Sequence, residues 1–454
     1  MRDLILLAAL AGIVPLIFRA PQVGILTWIW VTLFNPQREV YGFLSDFQLN
    51  LYIALITAVA WAISRERKTV PLNSVTGLMI LFGVWTCITT YFALDVEYSM
   101  VIWERLMKTL ILMLAVLAIV NSKARIQAVV WVVCLSLGYY AVKGGGFVLL
   151  SGGSSRVMGP EDSMIEDNNS IGLALVMLLP LLNYLRTTAK DIRTNYILLA
   201  TMGLTLVAII GTYSRGALVA LAASGLAYVA RSRNAFIPLL MAGCVLVALP
   251  SFMPESWSER MGTIQSYNDD SSFAGRVAAW KTSVQLAVQR PMTGGGFFAV
   301  DLDWVAQSFQ SPGSLEKGRA AHSIYFEVLG DHGFIGLALF LMLYAAAWFN
   351  TSSVLRMTRD DPGLDWANKL ARALQVSMVG FAVGGALLSM AYYDGFLILL
   401  ALSGALAMTV RQASAKTAPN MPRWKMTDDQ IAGIAGEAAP IGAMLPGWRT
   451  SHAR

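Results

Sequence analysis

Apolar runs separated by short polar breaks cover almost the whole chain, near 4–18, 22–35, 49–64, 75–94, 101–121, 126–150, 170–186, 195–213, 215–230, 235–252, 323–350, 372–393 and 395–410. A helix needs roughly 20 such residues to cross the hydrocarbon core of a bilayer. No series of short alternating strands is present, so helices, which satisfy their own backbone groups, are the spanning structure the pattern predicts. The expectation is an all-α polytopic integral membrane protein of about 12–13 transmembrane helices with one large outer loop carrying short helices. The count is open at the start. If 4–18 and 22–35 both span, Met1 lies outside; if they form one broken element, Met1 lies inside.

The polar breaks carry a second pattern. Arg65-Glu66-Arg67-Lys68, Lys123-Ala124-Arg125, Arg186 to Arg193, Arg231-Ser232-Arg233 and Arg356 to Arg372 make every second loop basic. Positive residues collect in cytoplasmic loops, so these loops are expected inside and 36–50, 95–100, 151–169, 213–215 and 253–322 outside. The chain then divides into N-terminal transmembrane helices (1–252), a large outer loop (253–322), C-terminal transmembrane helices (323–410) and a cytoplasmic tail (411–454) whose Pro, Ala, Gly and polar mix reads as disordered. In the outer loop, an acidic turn at Asn268-Asp269-Asp270 precedes an expected amphipathic helix over about 273–289, and Gly294-Gly295-Gly296 reads as a flexible turn. A loop this long between packed spans is usually functional.

Composition agrees and removes some alternatives. Only 14% of residues are charged against 56% hydrophobic, with a mean hydropathy of +0.57, where soluble domains carry about a quarter charged residues. The net charge of +6 belongs mostly to the orienting loops, so no nucleic-acid partner is expected. Cys87, Cys134 and Cys244 are scattered through apolar runs, with neither disulfide nor metal spacing. The start Met1-Arg2-Asp3 reads as a first span rather than a cleaved leader. No internal repeat supports an inverted-repeat transporter.

Candidate chemistry gathers in the outer segments. His322 is one of three histidines and opens the run His322-Ser323, nine residues, Gly333-x-x-Gly336, where the long loop meets an apolar helix. A histidine there either satisfies the helix start, for which Ser323 is already available as a cap, or moves a proton to or from a hydroxyl. Gly333 and Gly336 thin the helix for close packing or ligand approach. His332 is expected to be structural, and no metal site is expected. Arg215, in Gly211-Thr212-Tyr213-Ser214-Arg215-Gly216, is either an interfacial anchor or a bidentate phosphate ligand. Arg276 lies on the expected amphipathic helix, as a solvated charge or a second anion contact. Lys143 and Arg156 flank the glycine-rich Gly144-Gly145-Gly146 and Gly152-Gly153-Ser154-Ser155, which reads equally as a flexible outer loop or as backbone that approaches an anion. Asn168 and Asn169 read first as helix caps and otherwise as amides for sugar hydroxyls or a phosphate oxygen. Lys108 lies within a span, able to pair with Glu104 at i, i+4 or to contact a buried anion.

The His322-Ser323 run, Ser214-Arg215-Gly216 at the start of a span, and Arg276 followed by Trp280 together resemble the signature of the O-antigen ligase and O-antigen polymerase superfamily, over roughly 170–410. Phe34-Asn35-Pro36-Gln37, Lys143-Gly144-Gly145 and Glu166-Asp167-Asn168-Asn169 are similar to the O-glycosylation ligases found with exosortase A systems. The resemblance implies a bacterial inner-membrane glycosyltransferase acting on the periplasmic side, without metal, nucleotide sugar or other cofactor. Its donor would be an undecaprenyl-diphosphate-linked glycan and its acceptor a hydroxyl on a protein, lipid or glycan. His322 would be the catalytic base, and Arg215, Arg276, Lys143, Arg156, Lys108, Asn168 and Asn169 would bind the diphosphate or glycan. The same chemistry serves a repeat-unit polymerase. A transporter of lipid-linked sugars would instead line a path from side to side, and the polar residues gather on one side only.

Overall fold

The computed structural model describes residues 2–40, 42–45, 47–66, 68–231, 271–309 and 317–417, with a few positions between 240 and 257. The span expected over 235–252 and the acidic turn at 268–270 therefore lie largely or wholly outside the described residues, as does the tail beyond 417. One compact unit covers residues 1–410 and a second covers 411–454.

Among the described residues every regular element is helical. These are α1 (Arg2–Arg19), α2 (Pro21–Phe34), α3 (Leu49–Ile63), α4 (Ser74–Tyr91), α5 (Val96–Ile119), α6 (Lys123–Ser151), α7 (Asn168–Thr188), α8 (Ile192–Gly211), α9 (Arg215–Arg231), α10 (Ser271–Gln289), α11 (Asp303–Ser308), α12 (Ile324–Met357), α13 (Asp365–Gly385) and α14 (Asp394–Thr417). Of these, α4, α6, α7, α8, α12 and α14 are long and apolar enough to cross a membrane, while α2 and α3 are shorter. The protein is an all-α polytopic membrane protein.

Local sequence explains many boundaries. Asn73, Asp95, Ser122, Asp167 and Asp191 each accept a backbone N–H in the first turn of the helix they precede, which satisfies donors that a helix start leaves open. At the core, α7 is buried on nearly every face and packs against α8, α9 and α13. The amphipathic α10 packs on α12, so the helix expected over 273–289 is present as a bundle element.

The basic loops meet at one end. Glu66 takes both terminal nitrogens of Arg125 at 2.6 and 2.9 Å, Lys123 lies over the Trp366 ring, and Arg372 donates to the Arg231 carbonyl. Arg231 ends α9 and Arg215 begins it. The 17-residue helix sets its two ends about 24 Å apart, so the outer candidates sit at the opposite end.

Several expectations change. Gly144, Gly145 and Gly146 lie inside α6 rather than in a loop. A side chain at 145 would strike the Leu204 backbone of α8, so close helix packing accounts for that glycine. The run expected as a span over 372–393 leaves its helix at Gly385, and residues 386–393 form a buried turn before α14. Arg372 belongs to α13 rather than to a loop. The long helix after His322 is also broken: Gly333 has φ 67° and ψ −168°. The Gly294–Gly296 turn fills the break. Gly295 and Gly296 donate to the Gly330 and Asp331 carbonyls at 2.8 and 2.9 Å, and Phe334 donates to the Pro291 carbonyl at 2.9 Å. These three hydrogen bonds hold the turn in place rather than leave it flexible, and its anchors are the carbonyls and amide that the break exposes.

Candidate active site

Four chain segments converge at the end of the bundle away from the basic loops. The first is the corner Gly211–Arg215, where Tyr213 takes the left-handed conformation at φ 59° and Ser214 accepts from the Ala217 N–H at 3.1 Å. The corner thus launches α9 with Arg215, half-buried, as its first residue. The second is the start of α7. Asp167 caps it through the Asn169 and Ser170 N–H groups, and the buried Asn168 donates to the Thr212 carbonyl at 2.7 Å. Capping therefore belongs to Asp167, and Asn168 ties the α7 start to the arginine corner.

The third segment leads into α12. His322 also stands in the left-handed region, at φ 44°, which a non-glycine residue holds only when its surroundings over-determine it. Two bonds do so. Its N–H donates to the Ser389 hydroxyl at 2.8 Å, and the preceding Ala321 carbonyl accepts from the Trp280 indole at 2.7 Å. Trp280 stacks on Phe326 at 5.1 Å. Arg276 lies one turn before Trp280, on the same face of α10, and Gly275 leaves room for the Arg319 guanidinium beside it. The fourth segment is the 386–393 turn, where Leu387 approaches Gly216 of the arginine corner and Ser389 holds His322. Ser323 begins α12 without a side-chain cap, contrary to its expected role, and Gly336 makes room for the His332 side chain.

His322 opens onto solvent. Crowding by the protein lowers its pKa first, the positive Arg276 lowers it further, and Asp167 opposes both. The balance favours the neutral imidazole, which is the form a proton acceptor needs.

Lys143 and Arg156 lie on the far side of the arginine corner, and Lys108 lies apart. Lys143 pairs with Glu39 at 3.2 Å and Arg156 lies 5.9 Å over the Tyr213 ring. Both line a cavity of about 250 Å³ with Arg38, Tyr140 and Phe147. The loop bearing Arg156 reaches the arginine corner through Val157, whose N–H donates to Gly211 at 2.9 Å. Lys108 is not brought to His322 by any described contact. It pairs with Glu104 at 2.6 Å and lines an apolar cavity with residues of α3 and α5.

The structure adds residues the sequence reading passed over. Arg319 and Ser389 carry no pattern that marks them. Glu327 and Asp331 do: two acids one turn apart in an apolar run. Both are buried. Glu327 accepts the Ala391 N–H at 3.0 Å, and Asp331 accepts the Tyr392 hydroxyl at 2.7 Å and the Phe298 N–H at 2.8 Å. His332 is buried with Nδ1 2.7 Å from the Thr89 hydroxyl and a ring edge against Phe297.

Residues 200–341, which hold the arginine corner, Arg276, Arg319 and the His322 run, match the O-antigen ligase family. The chain carries an O-antigen ligase domain. Residues 1–190 match a family of unknown function, DUF5935. No curated protein matches the chain. The ligase domain ends before the 386–393 turn and starts after Asp167, so the site of this O-antigen-ligase-like protein draws on both flanks of that domain.

Proposed function

We propose that this protein transfers a glycan from an undecaprenyl-diphosphate carrier to a hydroxyl acceptor at the periplasmic face of the bacterial inner membrane. The observation that carries the reading is the gathering of His322, held by Ser389 and by Trp280 one turn after Arg276, with the Arg215 corner and the Asp167 end of α7 at the end of the bundle away from the basic loops. The acceptor oxygen attacks the anomeric carbon while His322 takes its proton. The bond from that carbon to the diphosphate oxygen breaks, and the electron pair leaves with the diphosphate. Charge grows on the leaving group, where Arg215 and Arg276 stabilise it most in the transition state. Attack opposite the leaving group inverts the anomeric centre. The cavity of Lys143 and Arg156 accepts the glycan beyond the first sugar, and Asn169 lies at the same α7 end. Lys108 is best read as a membrane-facing cation near the carrier's chain. The Lys143-Gly144-Gly145 and Glu166–Asn169 strings favour an O-glycosylation ligase within this superfamily.

The test is purified protein with a synthetic polyprenyl-diphosphate-linked donor. His322→Ala is expected to lower turnover by about 10²–10⁴-fold, the usual worth of base catalysis, with little change in donor affinity. Arg215→Lys keeps the charge but loses the planar fork, so affinity and rate are expected to fall together. Unchanged turnover in His322→Ala would end the base assignment. In cells, a deletion strain that accumulates lipid-linked polymer indicates a ligase, and one that accumulates single repeat units indicates a polymerase.

A further inference from the structure

We infer that Glu327 and Asp331 are positioning residues for His322, acting through the 386–393 turn; the inference rests on the reading of His322 as the base. The turn is apolar from Leu387 to Tyr393 apart from Ser389 and the tyrosine hydroxyls, and it ends α13 without a glycine or proline inside it. Its fixed points are two carboxylates from the first turns of α12. Glu327 takes the Ala391 N–H at 3.0 Å and Asp331 takes the Tyr392 hydroxyl at 2.7 Å. Two and three residues earlier, Ser389 takes the His322 N–H at 2.8 Å. His322 itself precedes the same helix that carries the two acids. The bonds therefore close a loop: α12 holds the turn, and the turn holds the residue at the mouth of α12.

Two features argue that this loop serves position rather than stability alone. Glu327 and Asp331 are 3% and 1% exposed, and among the described residues neither forms an ion pair. Burying a carboxyl group away from water is costly unless its oxygens are hydrogen-bonded, and an apolar residue of like size usually packs at lower cost. The residue they fix, at one remove, stands in a backbone conformation that needs outside restraint. Asp331 also takes the Phe298 N–H at 2.8 Å, which joins the turn to the glycine segment filling the helix break. A displacement of about 1 Å at a reacting group costs on the order of a hundredfold in rate.

The experiment uses the full-length protein and the same donor assay. Ser389→Ala and Tyr392→Phe each delete one hydroxyl, and Asp331→Ala deletes the carboxylate. Each is expected to lower kcat about tenfold to a hundredfold with donor KM nearly unchanged, and Asp331→Asn, which keeps an acceptor oxygen, to recover most of the loss. In a His322→Ala background the same changes are expected to lower the residual rate no further, because their effect runs through His322. A general loosening of the fold would lower it again, and that outcome would overturn the inference. So would wild-type kcat in both Ser389→Ala and Tyr392→Phe while His322→Ala is impaired. Normal turnover in His322→Ala alone would remove the base assignment and this inference with it, a result distinct from the other two.

Discussion

His322 carries opposing influences from two charged neighbours, and that makes its protonation testable residue by residue. Crowding by the protein and the positive Arg276 both disfavour the imidazolium, and Asp167 favours it. A base must be deprotonated to act, so activity is expected to hold to a pH below the ordinary imidazole value before it falls on the acid side. Arg276→Gln removes a charge that resists protonation. His322 then protonates more easily and the acidic limb of kcat/KM moves to higher pH. Asp167→Asn removes a charge that favours protonation, so the limb moves to lower pH, while asparagine still caps α7. Opposite shifts from the two variants, read from kcat/KM against pH, support the arrangement. Shifts in the same direction, or none, would remove His322 as the titrating group. Sequence alone placed His322 and Arg215 on the same side and marked the start of α7 through its asparagines. It did not reveal which residues set the charge of His322, because Asp167 and Arg276 lie 155 and 46 residues before it in the chain and come to act on it only through the packing of the bundle.

At the level of elements, glycines separate what hydropathy can read from what it cannot. The amphipathic α10, the α8–α9 corner and most spans follow from period and breaks. The break in α12 does not, because its residues are as apolar as an unbroken helix, and only the backbone at Gly333 tells them apart. The buried turn at 386–393 was hidden in the same way, since an apolar turn and an apolar helix share a hydropathy profile. Gly144–Gly146 misled in the other direction: glycines that usually mark a loop were helical, because a glycine's cost in a helix, about 1 kcal/mol, is offset at Gly144 and Gly145 by contact with Val157 and the Leu204 backbone. These environments predict opposite effects of one methyl group. Gly333→Ala forces a side chain into a backbone region nearly reserved for glycine, at a cost of about 1–3 kcal/mol, and sets it 2.6 Å from the Pro291 carbonyl oxygen. It is expected to lower the melting temperature in detergent. Gly146, in open space within α6, is expected to accept alanine with unchanged or raised stability, up to about 1 kcal/mol. Equal effects at the two positions would show that the α12 break is not fixed by Gly333.

For the whole molecule, the separation of charge along the bundle carries the direction of the chemistry. Glu66–Arg125, Lys123–Trp366 and Arg231–Arg372 bring basic segments from distant parts of the chain to one end, whereas His322, Asp167 and Arg215 lie at the other. Basic loops stay cytoplasmic because positive residues resist transfer across the membrane during insertion. The site end should then face outward, where a lipid carrier flipped from the cytoplasm presents its glycan. The orientation that insertion favours is also the one that the proposed donor would need. Reporter fusions or cysteine labelling from each side test it: a position near 280, on α10, is expected outside, and positions near 190 and 362, at the α7–α8 and α12–α13 connections, inside. Labelling of all three from one side would contradict the bundle, whose helices set these segments at opposite ends. A cytoplasmic position near 280 with 190 and 362 outside would leave the bundle intact but turn the site away from the donor, and the glycan-transfer reading would fall.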